Sequence, residues 1–515
     1  MRRVWPLAAI LVVAAVARLW GIHFGLPHLN ARPDEGTIVS IAGGMYHGDL
    51  NPHFFNYPAL FMTAVAAVLS LLPDLSGTTM PYTIARYLSA GAGIASVLVL
   101  FRIGQRLFGH AAGLAAAALL AVAFLHVRDS HFGVTDVPMT FLALVAFFYI
   151  LRVSESAREK DVIIAGVASG LATSTKYNAA LIALPALLAI FMNTKVPLEP
   201  LLDRVRRAAL YGGTLAGAFL LTSPYSLWEL REFVADVTFE SRHLAVGHKV
   251  VLARGWIHHV TSSLRYGVGL PLLVAGVLGM LLLIVRDRRK GALVAAFPLS
   301  YYLVVGSGYT VFARYIIPVV PFLCLTAGYA ATEVAERVSA RAGRTKWKPA
   351  LVSACIVCVA WPSAHSVIRF NRLIARTDSR VLAREWLERH VPPGSTVAQL
   401  GTDGGQVLLF QMDASEVKYV RADLARPGAR PDVVIAHSSP LSQNAPGARE
   451  VRILSRDYDA VMAVNAVASD ERANIYDWQD DFFLPLTGFK RIERPGPNLT
   501  IHIRRGVLPS VPRLN

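Results

Sequence analysis

Charged residues are scarce in this 515-residue chain, and cysteine is scarcer still. Only 17% of the residues are Asp, Glu, Lys or Arg, against about 25% in a soluble domain, which excludes an ordinary cytosolic enzyme and a disordered protein. Three cysteines, Cys324, Cys355 and Cys358, all lie in apolar stretches, so no disulfide framework is implied. Cys355-x-x-Cys358 has the spacing of half a metal or redox motif, but its setting reads as two small residues on a membrane helix. Acids are fewer than bases, 35 against 51, giving a formal charge of +16. The bases cluster in short gaps between apolar runs, as membrane proteins distribute them, and a nucleic-acid partner is not expected. No internal repeat, inverted or direct, is visible.

What the chain has in abundance is apolar length: 54% hydrophobic residues and a mean hydropathy of +0.44. A bilayer core needs about 20 apolar residues per helix. The first candidate span is Val4–Phe24 after Met1-Arg2-Arg3, read as a retained helix with its N-terminus inside rather than a cleaved signal. Ten more follow: Tyr82–Phe101, Ala111–Val127, Val137–Leu151, Val162–Thr175, Asn178–Met192, Ala208–Thr222, Tyr266–Val285, Ala292–Val305, Tyr315–Ala330 and Ala350–Val367. Every second gap is basic. The clusters are Arg102 and Arg106; Arg152, Arg158 and Lys160; Lys195, Arg204, Arg206 and Arg207; Arg286, Arg288, Arg289 and Lys290; and Arg337, Arg341, Arg344, Lys346 and Lys348. Those gaps are expected to be cytoplasmic. Tyr57–Leu72 is apolar too, but a crossing there would invert every later loop, so a re-entrant or interfacial helix is expected.

The opposite face then carries the loops Gly25–Asn56 and Arg128–Asp136, the break Thr175–Asn178, the long loop Ser223–Arg265 and the turn Gly306–Arg314. The expected fold is mainly α, a polytopic bundle of about 11 helices over residues 1–367, with a small extracytoplasmic α/β domain over 368–515. In the tail, Ser379–His390 reads as a helix, and Thr396–Leu400, Asp432–Ala436 and Ile501–Arg504 read as strands. Asn498-Leu499-Thr500 matches a glycosylation acceptor, a pattern common by chance.

Several side chains could carry chemistry. Asp34 and Glu35, in Arg32-Pro33-Asp34-Glu35-Gly36, either favour the dipole of a short helix or do chemistry. His53 and Tyr57, in Asn51-Pro52-His53-Phe54-Phe55-Asn56-Tyr57-Pro58, read as an aromatic interfacial belt or as a binding surface. Asp136 either caps the fourth span or joins His131 in a second acidic loop; ionisable groups at a membrane edge are costly and therefore suspect. Lys176 snorkels or binds, and Arg314-Tyr315 anchors to headgroups or binds. His243, His248, His258 and His259 lack compact metal spacing.

The order of these motifs, with Arg86-Tyr87-Leu88-Ser89-Ala90 and Gly170-Leu171-Ala172-Thr173-Ser174-Thr175-Lys176-Tyr177 between them, resembles the GT-C superfamily of membrane glycosyltransferases. Within it the chain is similar to family 39-type enzymes, the relatives of protein O-mannosyltransferases and lipid A aminoarabinose transferases. The resemblance covers roughly residues 1–330. It implies a polyprenyl-phosphate-sugar donor, a lipid, glycan or protein acceptor, and transfer on the extracytoplasmic face of the plasma (inner) membrane. It implies Asp34 as the catalytic carboxylate, Glu35 beside it and Asp136 as the second-loop acid. It leaves cofactors open: some GT-C enzymes use a divalent cation, and family 39 types generally do not. The chain departs from the pattern at three places. Tyr57 stands where aminoarabinose transferases carry Lys, which argues against that sugar; Pro58-Ala59 replaces a common Pro-Pro; and His131 stands where Arg is common.

The residue types suit the reaction. A phosphate leaving group needs no general acid, one carboxylate must take the acceptor's proton, and cations must hold developing phosphate charge. Asp34 is the expected base, with Lys176 and Arg314 as phosphate-side cations and Asp136 orienting the acceptor or a cation. His53, Tyr57, His131 and Tyr315 complete the expected binding set. Direct displacement predicts inversion. The alternative is a transporter or lipid-linked-sugar flippase using Asp34, Asp136 and Lys176 as a polar pathway.

Overall fold

The computed structural model describes residues 5–508 apart from 74–77, 157, 194–199, 402, 410–417, 425, 427, 442–445, 469–471 and 481. Met1-Arg2-Arg3 and Lys195 of the charge pattern above lie outside the described residues. The chain packs as two compact units. The first is Met1–Trp20, Ile38–Pro73 and Ile84–Ile368; the second is Gly21–Thr37, Asp74–Thr83 and Arg369–Asn515.

The first unit is helical, and each of the eleven expected spans holds a helix. Met80–Phe108, Asp136–Ser156, Ala313–Arg341 and Thr345–His390 are long and apolar enough by length and composition to cross a bilayer. Gly255–Gly267 and Leu270–Arg286, bent by 117° at their break, make a fifth if taken as one span. Asp136–Ser156, with 21 residues, is about 31 Å long at ~1.5 Å per residue, the thickness of a hydrocarbon core. Leu60–Leu69 has 10 residues, about 15 Å, and is too short to cross; it is the apolar segment that broke the charge parity.

Glycine lets these helices touch. A Cβ on Gly170 would lie 2.4 Å from the Leu215 carbonyl oxygen, and one on Gly166 would lie 1.9 Å from Thr214 Oγ1. Helices Glu159–Thr173 and Leu201–Thr222 therefore meet through small residues four apart, as helices do where lipid offers no hydrophobic drive for association.

Contacts sort the loops into two groups. At one end the basic gaps meet: Arg106 pairs with Glu155, Arg206 Nη2 lies 3.6 Å from Glu159 Oε1, and Arg289 Nη2 donates to the Ser154 carbonyl at 3.0 Å. Arg286 pairs with Glu333, and Lys348 with Glu336. The other loops meet one another elsewhere. Asn51 Nδ2 donates to Glu229, the Phe55 amide donates to Asp236 Oδ2 at 2.8 Å, and the Tyr309 amide donates to the Leu244 carbonyl at 2.9 Å.

The segment Ser223–Arg265, expected as a loop, is largely helical: Tyr225–Trp228, Leu230–Val246, Gly255–His258 and a π-turn at His259–Leu264. Leu230–Val246 has no buried residue. Its apolar positions are at most half-buried and are interleaved with charges; Phe233 meets the Phe55 ring at 6.1 Å and the Tyr177 ring at 5.9 Å.

The second unit is built on a five-stranded sheet, β1 (Thr396–Leu400), β2 (Val420–Ala422), β3 (Val433–Ser438), β4 (Tyr458–Val464) and β5 (Asn498–Arg504), in the order β2-β1-β3-β5-β4. β1 runs parallel to β2 and β3, and β5 runs antiparallel to β3 and β4. Alternation along β3 explains the layers. Val433 and Ile435 pack with Ala383 and Leu387 of helix Ser379–His390, whereas Val434 packs with Leu454 of helix Ala448–Asp457. Asn498 does not present a free amide: its Oδ1 accepts from the Ala466 and Val467 amides at 2.7 and 2.9 Å, and its Nδ2 donates to the Val467 carbonyl at 2.9 Å.

Candidate functional site

In the first unit a polar centre forms where three helix ends meet. Asp136 opens helix Asp136–Ser156. Lys176 sits in the irregular turn between helix Glu159–Thr173 and the 3-10 turn Tyr177–Ile182, a break consistent with the short apolar runs on either side. Lys176 Nζ donates to Asp136 Oδ1 at 2.6 Å, and both side chains are buried. The ammonium lies 4.7 Å from the centre of the Tyr315 ring and 6.0 Å from that of Tyr57. Arg314, also buried, packs its guanidinium 4.0 Å from the Phe312 ring and 5.6 Å from the Tyr315 ring. Asp136, Lys176, Tyr57, Arg314 and Tyr315 are thus brought together. Cation over aromatic face is attractive, by about 2 kcal/mol when desolvated.

The aromatic loop is fastened beside this centre. Tyr177 Oη donates to the Phe55 carbonyl at 2.9 Å, and Asn56 Nδ2 donates to Glu240 Oε1 at 2.7 Å. His53 is exposed, 3.4 Å from Asp49 Oδ2 and 3.7 Å from Glu229 Oε1. His131 is buried, with Nδ1 at 2.9 Å from the Val127 carbonyl and Nε2 at 3.1 Å from the Trp20 carbonyl. Burial pushes its pKa down to about 4, and the two carbonyls, which favour the protonated ring, work against that shift.

Two buried arginines beside the second loop carry structure that the sequence reading passed over. Arg18, inside the first apolar run, donates to the Ala121 and Leu120 carbonyls at 3.0 and 3.1 Å. It thereby caps the C-terminal end of helix His110–Ala121, where unpaired carbonyls and the dipole favour a cation. Arg128 Nη1 lies 3.0 Å from Asp129 Oδ2, both fully buried. A lone arginine in an otherwise apolar run was the available signal for the first of these.

Asp34 and Glu35 belong to the second unit. They lie in the first turn of helix Pro33–Tyr46; Asp34 is half-buried and Glu35 buried. The segment before them is locked within that unit. Arg32 is buried and ion-paired with Asp480, its guanidinium is 5.3 Å from the Phe482 ring, and Phe24 meets Phe482 edge-on at 5.6 Å. His28, four residues before Arg32, is buried and held down to a pKa of about 3, by desolvation first and then by Arg380. Among the described residues no three His, Cys, Asp or Glu side chains gather as ligands for a metal ion.

Residues 63–228 match the family described as dolichyl-phosphate-mannose-protein mannosyltransferase. That stretch contains His131, Asp136 and Lys176. No curated protein matches the chain. Among solved structures, ArnT from Cupriavidus metallidurans bound to undecaprenyl phosphate has a TM-score of 0.56 at 15% identity, covering 97% of each chain. AglB, an oligosaccharyltransferase from Archaeoglobus fulgidus solved with an inhibitory peptide and a dolichol-phosphate, has a TM-score of 0.53 at 11% identity over 77% of this chain, which spans 62% of that protein's length. The apo form of an Archaeoglobus fulgidus oligosaccharyltransferase has a TM-score of 0.55 at 10% identity, covering 97% of this chain and 89% of its own. The fold of the chain is therefore that of these solved structures, and the family match lies within the stretch that carries the motifs of the second loop and of Lys176.

Proposed function

We propose that this protein transfers a sugar from a polyprenyl-phosphate-linked donor to an acceptor hydroxyl at the extracytoplasmic surface of the plasma (inner) membrane. The observation that carries the reading is the buried Lys176, fixed by Asp136 at 2.6 Å under the Tyr315 ring and close to Arg314 through that shared ring. Two desolvated cations among aromatics at helix ends form a place for a lipid-linked phosphate. ArnT and AglB, which share the fold, were solved with polyprenyl phosphates.

In this reading Asp34 takes the proton of the acceptor hydroxyl as its oxygen attacks the anomeric carbon. The bond from that carbon to the phosphate oxygen breaks, and its electron pair leaves with the phosphate. Lys176 and Arg314 hold the charge that develops there. Asp136 positions Lys176, Glu35 stands beside the base, and one displacement inverts the anomeric centre. His131, held between the Val127 and Trp20 carbonyls, positions the second loop. Tyr57, whose ring lies 6.0 Å from the Lys176 ammonium, and His53 belong to the substrate-binding set. The sugar and the acceptor class, whether lipid, glycan or protein, are left to the test.

The test is a reconstituted assay with polyprenyl-phosphate sugars that follows release of polyprenyl phosphate. Asp34→Asn keeps the shape and removes the base, so it is expected to insert normally and lose transfer by at least a hundredfold, the low end for general-base catalysis. Transfer at the unmodified rate would falsify the assignment. Movement of the lipid-linked sugar across the bilayer with no bond cleaved would establish a transporter instead.

A further inference from the structure

A second polar cavity lies at the other end of the first unit, among the basic gaps. Its volume is about 610 Å³, and it is lined by Arg106, Arg152, Glu155, Ser156, Arg158 and Asp161. Three helix ends form it: the last turn of Met80–Phe108, the last turns of Asp136–Ser156 and the first turn of Glu159–Thr173. Its walls are preorganised. Arg106 Nε donates to Glu155 Oε1 at 3.1 Å, and Arg152 Nε lies 2.9 Å from Asp161 Oδ1. Ser156 Oγ donates to Asp161 Oδ2 at 2.9 Å. Three guanidinium groups against two carboxylates leave the lining with one net positive charge. Arg206 and Glu159 offset each other nearby, and Arg289, which bonds the neutral Ser154 carbonyl, adds positive charge. Arginines fixed by carboxylates keep further N–H groups in a planar fork suited to phosphate oxygens.

Two of the lining arginines lie against aromatic rings of helix Asp136–Ser156. Arg106 packs 5.9 Å from the Phe148 ring and Arg152 packs 5.4 Å from the Tyr149 ring. Rings of this kind sit at the headgroup level of a bilayer, with apolar helix surface beyond them. A soluble anion needs no such apolar continuation, whereas a lipid does. Basic pockets between membrane helices take anionic headgroups.

We propose that this cavity is a binding site for the phosphodiester headgroup of an anionic phospholipid, its acyl chains lying along the adjoining helices. The site is independent of the transfer reaction and of the residues assigned to it.

The experiment uses the full chain, purified in detergent and titrated with phosphatidylglycerol, phosphatidylcholine or inorganic phosphate while thermal unfolding is followed, because a ligand of the folded state raises the midpoint. Phosphatidylglycerol is expected to raise it by several degrees, and the other two are expected not to. Arg158 is exposed, so Arg158→Ala leaves the fold in place. It is expected to need about tenfold more phosphatidylglycerol for the same shift. The paired change Arg106→Gln with Glu155→Gln, which removes a cation and its partner together, is expected to weaken the response as well. Equal stabilisation by phosphatidylcholine would overturn the proposal. So would a phosphatidylglycerol response unchanged in both variants. Stabilisation by inorganic phosphate alone would overturn the lipid as ligand and assign the cavity to a soluble phosphate.

Discussion

Lys176 and Asp136 each need the other for a structural reason as well as a chemical one. Removing one partner of a buried pair costs about 3–5 kcal/mol, because a charge is left without compensation. Lys176→Gln alone is therefore expected to lower both stability and transfer, which does not separate the two roles. The double change Asp136→Asn with Lys176→Gln removes both charges. It is expected to recover most of the lost stability while transfer stays absent, and thermal melts beside a transfer assay read the two quantities separately. Recovery of transfer along with stability would reduce the pair to a structural bridge. Arg32 and Asp480 pose a related question at single-residue scale. Two residues before Asp34, Arg32 is buried against Asp480 and Phe482, which fixes where helix Pro33–Tyr46 begins. If Asp34 is the base, as proposed, Asp480 acts as a positioning residue. Asp480→Asn is expected to lower kcat by tenfold or more with KM little changed, and Asp480→Glu is expected to restore part of it. An equal loss in KM would point to a general weakening of the fold.

At the scale of elements, legibility follows from whether a segment buries one apolar face. Ser379–His390 and Thr396–Leu400 are readable to the residue, because capping by Asp378 and period-two burial leave local traces. The spans are readable in position, since apolar length is a local property. Their ends are less so. Ala111–Val127 breaks at Ala121 and resumes as Phe124–Asp129, and Tyr315–Ala330 begins as a 3-10 turn before helix Val320–Arg341. Those breaks are held by distant partners such as Arg18, which hydropathy does not register. Leu230–Val246 was hidden because its apolar positions, Phe233 among them, are interleaved with charges and none is fully buried. In the candidate site, the residue types at 136, 176 and 314 were suspect from cost alone, but the link between Asp136 and Lys176 depends on how their helices pack. The helix that leads to Lys176 is in turn held against Leu201–Thr222 through Gly166 and Gly170. Gly170→Leu would drive a side chain into the Leu215 backbone. It is expected to destabilise the unit by more than the ~1–3 kcal/mol of ordinary overpacking. Because Lys176 follows six residues later, transfer is expected to fall too, whereas Gly213→Leu, at a position with open space around its Cβ, is expected to leave both unchanged.

For the molecule as a whole, the charge pattern and the contacts tell the same story from opposite directions. The gaps whose bases follow the parity are joined at one end of the helical unit, each arginine reaching an acid or a carbonyl of a neighbouring gap, and the loops between them are joined elsewhere. The second unit has its own determinant of stability. Asp432 lies before β3, and its Oδ2 accepts from the Thr396 amide and hydroxyl at 2.9 and 2.7 Å while its Oδ1 accepts from Arg504 Nη2 at 2.9 Å. One carboxylate thus ties the start of β1, the approach to β3 and the end of β5. Burial works to raise its pKa, but the bonds from Thr396 and Arg504 outweigh it and hold the group below the ordinary carboxylate value of 3.8. A depressed folded-state pKa means that the unfolded chain binds its proton first as pH falls. The stabilisation is therefore fully present above about pH 4–5 and drains away below the ordinary carboxylate range as the folded-state group is finally protonated. Asp432→Asn removes that dependence while keeping an acceptor for Thr396. Melting curves of the full chain between pH 3 and pH 6, read by the β-sheet signal, are expected to show a steeper acid loss for the unmodified protein than for Asp432→Asn. Parallel pH profiles for the two would mean that the carboxylate's charge plays no part in holding the three strands together.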